Sequence, residues 1–272
     1  MTLGPAEIEY LHQLVRQNAA IVLDSERKRQ AEQRLLELVN QYGCASLVDY
    51  TGRDLGESLC VVHRKLVDAM SNNETWFFRD FHPFAMLTHT VIPELLRKRE
   101  RDQEISIWSA GCATGQEPFS IAMALRDHFP SDLDSFSILG TDLCPRVLEQ
   151  AQQAMYRQKQ VNRGLPVRLL TRYFVQHGLR WQLSMEVRRM VRFRRFDLRE
   201  AWTEIPAMHV VFLRNVLGSF ERQAQKKLLE QAHGILRAGG FLFLGNGEST
   251  EGLSDAFEAL AEGTSVVYRA RS

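Results

Sequence analysis

Along the first seventy residues, apolar positions recur with helical spacing. Ile8, Leu11, Leu14 and Val15 share a face, and Leu35, Leu36, Leu38 and Val39 repeat the pattern before Gly43. Leu59, Val62, Leu66, Val67 and Met70 form a third amphipathic stretch, so residues 1–70 read as a small helical domain. From Ile105 the texture changes. Short apolar runs at 105–109, 136–141, 208–213, 241–245 and 265–270 predict strands. Helical spacing follows at 118–129, 146–156 and 222–236, the last closed by Gly239 and Gly240. Strands alternating with helices predict an α/β fold, a mainly parallel sheet covered on both faces. One segment breaks the alternation. Residues 172–198 carry period-two runs, such as Met185, Val187, Arg189, Val191 and Phe193, which predict a small antiparallel β subdomain inserted at about 172–196.

Composition narrows the function classes. The 272 residues are 44% apolar and 25% charged, the balance of a soluble globular protein with one large core and a smaller satellite. Lys and Arg total 34 against 33 Asp and Glu, a net charge of +1, which argues against a nucleic-acid partner. Cys44, Cys60, Cys112 and Cys144 form no C-x-x-C pair, so reduced thiols in a cytoplasmic protein are expected, with no metal site. The N-terminus has no apolar signal core, and nowhere do eighteen apolar residues run together, so no membrane insertion is expected.

The candidate chemistry gathers at three strand ends. IWSAGCATGQEP (107–118) is a strand, a loop with Gly111, Ala113 and Gly115, and a helix start. Small residues let backbone approach a ligand, although such loops also close strand-to-helix turns that bind nothing. The G-x-G-x-x-G of a dinucleotide site is missing. A site for S-adenosylmethionine binds no pyrophosphate there and can use a carboxylate such as Glu117. The next strand ends in Asp142, which can accept two ribose hydroxyls or cap the following helix. Arg214 and Asn215 end a third strand, and three such ends point to one crevice.

Five strings, MSNNETWFFRD (70–80), IWSAGCATGQEPFSIAM (107–123), ILGTDLCPRVLEQAQQAMY (138–156), FLRNVLGSF (212–220) and LRAGGFLFLGNGES (236–249), resemble the successive signatures of CheR-type chemotaxis methyltransferases. The resemblance covers nearly the whole chain. It implies a Rossmann-like S-adenosylmethionine-dependent methyltransferase domain over residues 71–272 and a receptor-docking domain over 1–70. Family members methylate glutamate side chains of chemoreceptors, turning S-adenosyl-L-methionine into S-adenosyl-L-homocysteine. Carried over by position, cofactor contacts fall on Asn73, Thr75, Arg79, Gly111 and Glu117, on Asp142 at the ribose, on Asp197 and Leu198 at the adenine, and on Arg214 and Asn215. Arg79, always charged, can clamp a carboxylate bidentately, either the cofactor's or the substrate's.

Departures from the family pattern fall close to the chemistry. Ser219 stands where the family carries a tyrosine beside the reacting methyl, within Leu217-Gly218-Ser219-Phe220. Gly245-Asn246-Gly247-Glu248 replaces the usual G-H-S-E, and Gln116 replaces an acidic residue. An active protein-glutamate O-methyltransferase is expected. The alternatives are a regulatory homologue that binds the cofactor or its product without turnover, and an RNA or small-molecule methyltransferase on the same fold. Arg27, Lys28 and Arg34 resemble the family's basic docking helix for the acidic, helical region of a receptor. The segment QHGLRWQL (176–183) has one glycine, so tethering to a receptor's C-terminal tail peptide is not expected, and the chain is expected to be a monomer.

Overall fold

The computed structural model describes residues 75–99, 104–262 and 265–271, together with Gln33, Glu37 and Asn40, which are helical and exposed. The helices expected before residue 70 lie outside the described residues, as do Arg27, Lys28, Arg34 and Asn73. Two units are distinguished, Met1–Asn73 with Ser219–Glu221, and Glu74–Gly218 with Arg222–Ser272. No described helix is long and apolar enough to cross a membrane.

The larger unit begins with a helical run. It comprises α1 (His82–Met86), a π turn (Leu87–Val91) and α2 (Ile92–Lys98). In that run the Thr88 hydroxyl donates to the carbonyls of Phe84 and Ala85. There follow β1 (Ile105–Ala110), α3 (Gln116–His128), β2 (Phe136–Asp142), α4 (Pro145–Gln153), β3 (Met155–Arg157) and α5 (Gln158–Val161). Next come α6 (Val167–Tyr173), β4 (Phe174–His177), β5 (Arg180–Leu183), α7 (Met185–Arg188) and β6 (Val191–Arg195). The chain finishes with β7 (Met208–Leu213), α8 (Arg222–Ile235), β8 (Leu236–Leu244), β9 (Phe257–Glu262) and β10 (Ser265–Ala270).

Seven strands make one sheet in the order β6–β2–β1–β7–β8–β10–β9. The first five are mutually parallel; β10 runs antiparallel to β8, and β9 to β10. All six residues of β7 are buried, as a central strand covered on both faces requires. Helix α3 is buried continuously from Gln116 to Leu125, which explains its nearly unbroken run of small and apolar residues. Phe212 and Phe243 stack with ring centres 4.4 Å apart, joining β7 to β8 across the core. On the other face Trp108 of β1 meets Trp202 edge-on at 4.7 Å. Chain order leaves β1 for β2 and β6 on one side and returns to β7 on the other. The carboxyl ends of β1 and β7 therefore flank the crevice at which open parallel sheets bind ligands.

The inserted β structure differs from the sequence expectation. It is a three-stranded antiparallel sheet in the order β3–β5–β4, drawn from residues 155–183 rather than 172–196. Met155–Arg157, expected as a helix end, is its first strand, because Ala154 turns left-handed at φ 51° and ends α4. Tyr156 then packs edge-on to Phe77 at 4.9 Å. Met185–Arg188 forms a helical turn instead of a strand. Val191–Arg195 is the parallel edge of the main sheet, with Phe193 against Phe119 at 5.4 Å and over Gly140, where a Cβ would lie 2.8 Å from its ring. Alternation reveals a strand with one buried face, but not which sheet it joins.

Candidate active site

The loop after β1 is shaped by close approach. Gly111 has φ +78°, and a Cβ there would lie 2.7 Å from Val216 Cγ2. Gly115 has φ +88°, and its Cβ would lie 2.8 Å from that of Ala151 on α4. Only glycine meets both demands without strain. The loop's amides are already committed: those of Gly111 and Cys112 donate to the Thr141 carbonyl at 2.8 Å, and that of Gly115 to the Cys112 carbonyl at 3.0 Å. The amide of Ala113 donates to Asp142 Oδ2 at 2.9 Å. A loop that spends these donors internally cannot present them as a phosphate cradle. Asp142 also accepts from the Cys144 amide at 3.0 Å, so its carboxylate pins β2's end to the glycine loop. The N-cap position of α4 is Cys144, so the alternative role of Asp142 as a helix cap is not the one it plays.

Beneath this loop lies a buried ion cluster. Arg214, 4% exposed, donates from Nη1 to Glu117 Oε2 at 2.9 Å. Its Nη2 donates to Asp80 Oδ2 at 2.8 Å and to the Arg79 carbonyl at 3.0 Å. Glu117 Oε1 accepts from the Ser109 hydroxyl at 2.7 Å. The guanidinium expected at the cofactor is thus an internal strut joining β7, α3 and the 79–80 segment. Two carboxylates against one guanidinium leave this cluster with a net charge of −1. Burial pushes the Cys112 thiol up, and the negative charges of Asp142 and Glu117 push it further.

The chain entering α1 is strained beside that strut. Phe78, Asp80 and Phe81 have φ of 51°, 66° and 45°, values rare for bulky side chains. Such strain persists where surroundings impose it. Here Ser120 Oγ accepts from the Phe78 amide at 2.9 Å, and Arg214 holds Asp80. The Arg79 and Arg163 guanidiniums lie 4.4 and 3.8 Å from the Trp76 ring centre. At Gly164, φ is +78° and a Cβ would fall 2.1 Å from the Phe77 carbonyl oxygen, so glycine lets this turn close on the segment. Thr75 is half-buried at the segment's start.

The remaining expected residues divide among neighbouring strand ends. Asp197, after β6, chelates Arg199 through Nε at 2.9 Å and accepts the Arg199 amide at 3.0 Å. Burial opposes its ionisation, but the Arg199 hydrogen bonds and charge outweigh it and hold the carboxyl below its ordinary range. Leu198 is buried, and its carbonyl accepts from Trp202 Nε1 at 3.1 Å. Asn215 is left-handed at φ 59°, and its amide donates to Glu248 Oε2 at 2.8 Å. Ser219 ends the short 3₁₀ turn Leu217–Ser219.

Sequence reasoning missed three participants. Glu248 also accepts from the amides of Gly245 at 2.7 Å and Gly218 at 3.0 Å, clasping the ends of β7 and β8 together. Its signal was a carboxylate three residues past a strand-ending glycine. Asp80 directly follows Arg79, and Ser109 is a polar residue in a buried strand.

A family model described as "CheR methyltransferase, SAM binding domain" matches residues 73–266. The chain belongs to the CheR methyltransferase family. Over the full length of both chains it is 33% identical to "Chemotaxis protein methyltransferase Cher2" of Pseudomonas putida and to "Chemotaxis protein methyltransferase 1" of Pseudomonas aeruginosa. It is 32% identical to "Chemotaxis protein methyltransferase" of Vibrio parahaemolyticus, over 99% of this chain and 98% of that one. The CheR domain is an S-adenosyl-L-methionine-dependent methyltransferase of the chemotaxis type. Its residues suit this cofactor. A sulfonium and an ammonium call for a negative crevice, which Glu117, Asp80 and Asp142 provide, and a nucleoside without pyrophosphate needs no free cradle of loop amides.

Proposed function

We propose that this CheR domain methylates glutamate side-chain carboxylates of chemoreceptors in the cytoplasm. The observation that carries the reading is the net-negative Asp80–Glu117–Arg214 cluster at the β1/β7 switch point, beside Arg79. The bound cofactor supplies an electrophilic methyl on a sulfonium. In this reading Glu117 meets its ammonium and Asp142 its ribose hydroxyls, while Asp197 and Leu198 border the adenine. Arg214 and Asn215 are positioning residues: the first aims Glu117, and the second is held by Glu248 at the same rim. Thr75, Gly111 and Asn73 complete the set by resemblance.

A glutamate carboxyl has an ordinary pKa of about 4.3, so at neutral pH the nucleophile is already ionised and no general base is required. When bound, the cofactor would offer its methyl carbon to the substrate oxygen, its sulfur keeping the carbon–sulfur bonding pair. Both charges vanish, so alignment and exclusion of water supply the rate. Arg79 orients the incoming carboxylate. Ser219, standing at the family's tyrosine position, completes the catalytic pair by resemblance. The 1–70 segment, through Arg27, Lys28 and Arg34, docks the receptor, without tail-peptide tethering and with the enzyme as a monomer.

The test is transfer of a labelled methyl group to receptor cytoplasmic fragments, followed by mild base. Carboxyl methyl esters release labelled methanol, whereas N-methyl groups do not. Base-stable label, or full activity in Arg79→Ala, overturns the reading.

A further inference from the structure

On the larger unit, many cations meet a neighbouring carboxylate. Arg126 faces Glu186, Arg168 and Arg172 share Asp127, Arg99 reaches Asp132, and Arg269 reaches Glu94. Among the described residues, an open cleft gathers several cations that have no such partner. It lies between α4 and the edge strand β3, has a volume of about 460 Å³, and is lined by Arg146, Arg157, Lys159, Arg180 and Glu149. None of these five side chains takes part in an ion pair among the described residues. Four cations against one carboxylate give the cleft a charge of +3, although the whole chain carries only +1.

The walls of the cleft are fixed. Tyr156, fully buried between Met155 and Arg157, donates its hydroxyl to the Thr114 carbonyl at 2.8 Å and so ties β3 to the glycine loop. Gln160 Oε1 accepts from the Arg157 amide at 2.9 Å. Arg180 lies opposite Arg157 in the β3–β5 register. Arg146 stands in the first turn of α4, four residues beyond Asp142. A concave surface of one sign, held on rigid elements beside the cofactor crevice, focuses its field on a partner of the opposite sign.

We propose that this cleft docks an acidic segment of the protein substrate, the carboxylate-rich chain flanking the glutamate to be methylated. The receptor reading names which protein arrives; charge complementarity names where it sits. A long stretch of chain can place one carboxylate at the crevice while its neighbours lie over Arg146, Arg157, Lys159 and Arg180. Docking of this kind sets encounter and affinity and leaves the chemical step alone.

The experiment uses the full chain, wild type and two charge reversals, Arg146→Glu with Arg157→Glu and Arg146→Glu with Lys159→Glu. Binding of a fluorescently labelled receptor cytoplasmic fragment is read by anisotropy at low and high salt, alongside methyl-transfer kinetics and calorimetry with S-adenosyl-L-homocysteine. The fragment's Kd and KM are expected to rise roughly tenfold, with a flatter salt dependence. The kcat and the S-adenosyl-L-homocysteine affinity stay unchanged, and the Arg146→Lys, Arg157→Lys pair keeps wild-type affinity. Unchanged fragment affinity in both reversals, no binding by wild type, or tighter binding of single-stranded RNA than of the fragment overturns the proposal. Because anisotropy reads docking without turnover, binding through the cleft with no base-labile transfer refutes the proposed reaction alone.

Discussion

Replacing Arg214 by methionine tests whether the site stands on its buried strut. The guanidinium side chain is 1% exposed, against 11% for Glu117 and 30% for Asp80. Removing one partner of a buried ion pair costs about 3–5 kcal/mol, because the other charge stays behind. Two features moderate that figure. Glu117 keeps the Ser109 hydroxyl, and Asp80 is open enough to be hydrated. The lost side chain also carries a buried Nε with no hydrogen-bond partner, and its removal offsets about 1 kcal/mol. The expected loss is about 3 kcal/mol, or a fall in Tm of about 6–12 °C for a domain of this size class. Urea unfolding followed by tryptophan fluorescence reads it, provided the m-value is unchanged. Adding Glu117→Gln to Arg214→Met is expected to cost less than Glu117→Gln alone, since the amide leaves no stranded charge. Arg214→Lys does not rescue, because an ammonium cannot span Glu117, Asp80 and the Arg79 carbonyl as a fork does. A loss under about 1 kcal/mol, or additivity within about 0.5 kcal/mol, refutes the reasoning.

Glu248→Gln puts an NH₂ where one of the amides of Asn215, Gly218 and Gly245 now donates; calorimetry should show S-adenosyl-L-homocysteine affinity falling about tenfold, and wild-type affinity would dismiss the clasp. Trp76→Ala removes the indole that the Arg79 guanidinium lies over, so kcat should drop severalfold while cofactor affinity holds, with Trp76→Phe intermediate; equal kinetics in all three proteins would count against it. Gly164→Ala forces a Cβ onto the Phe77 carbonyl at positive φ and should destabilise by more than about 2 kcal/mol in urea melts; a neutral result would show that the turn can move away. Burial and the nearby Arg237 charge lower the His209 pKa to about 4, while the unfolded chain protonates near 6.5. The unfolded state therefore binds more protons between these values, and stability should fall as pH drops from 6.5 towards 4. His209→Asn, which can still accept from the Ser106 amide, should flatten that slope; identical pH profiles would refute it.

What could be read from the sequence follows from what is local. The strands at 208–213 and 265–270 were legible to the residue because each is a short, bounded apolar run in a sheet interior. The strand, glycine loop and helix start around residues 105–118 were legible because strand, small residues and helix follow one another directly. Strand β9 was not, since Phe257–Glu262 is an edge strand with one buried residue and no apolar run. Nor was the path of residues 155–195, where alternation marks strands but their partners lie in two different sheets. The roles of Arg214 and Glu248 depend on pairings across 97 and 33 positions, 117 with 214 and 215 with 248, and no periodicity carries such distances.

The charge arrangement connects these parts. Loop amides that would greet a phosphate are consumed by Thr141, Cys112 and Asp142, so the crevice is left with carboxylates and suits a cationic nucleoside. A substrate carboxylate approaching the same crevice would be repelled by Glu117 and Asp80 unless positive charge lay closer to its path. In the proposed reading Arg79 supplies one such charge at the centre, and the α4–β3 cleft, with four cations against Glu149, adds more at the rim. Opposite fields on adjoining surfaces let one domain gather two oppositely charged reactants without either excluding the other. In the proposed reaction, methyl transfer would cancel the sulfonium and the carboxylate together. The esterified side chain would then have no charge for Arg79 to hold, and each ester formed along an acidic segment would weaken its grip on the cleft. In this reading the same electrostatics that assemble the encounter would also release its product.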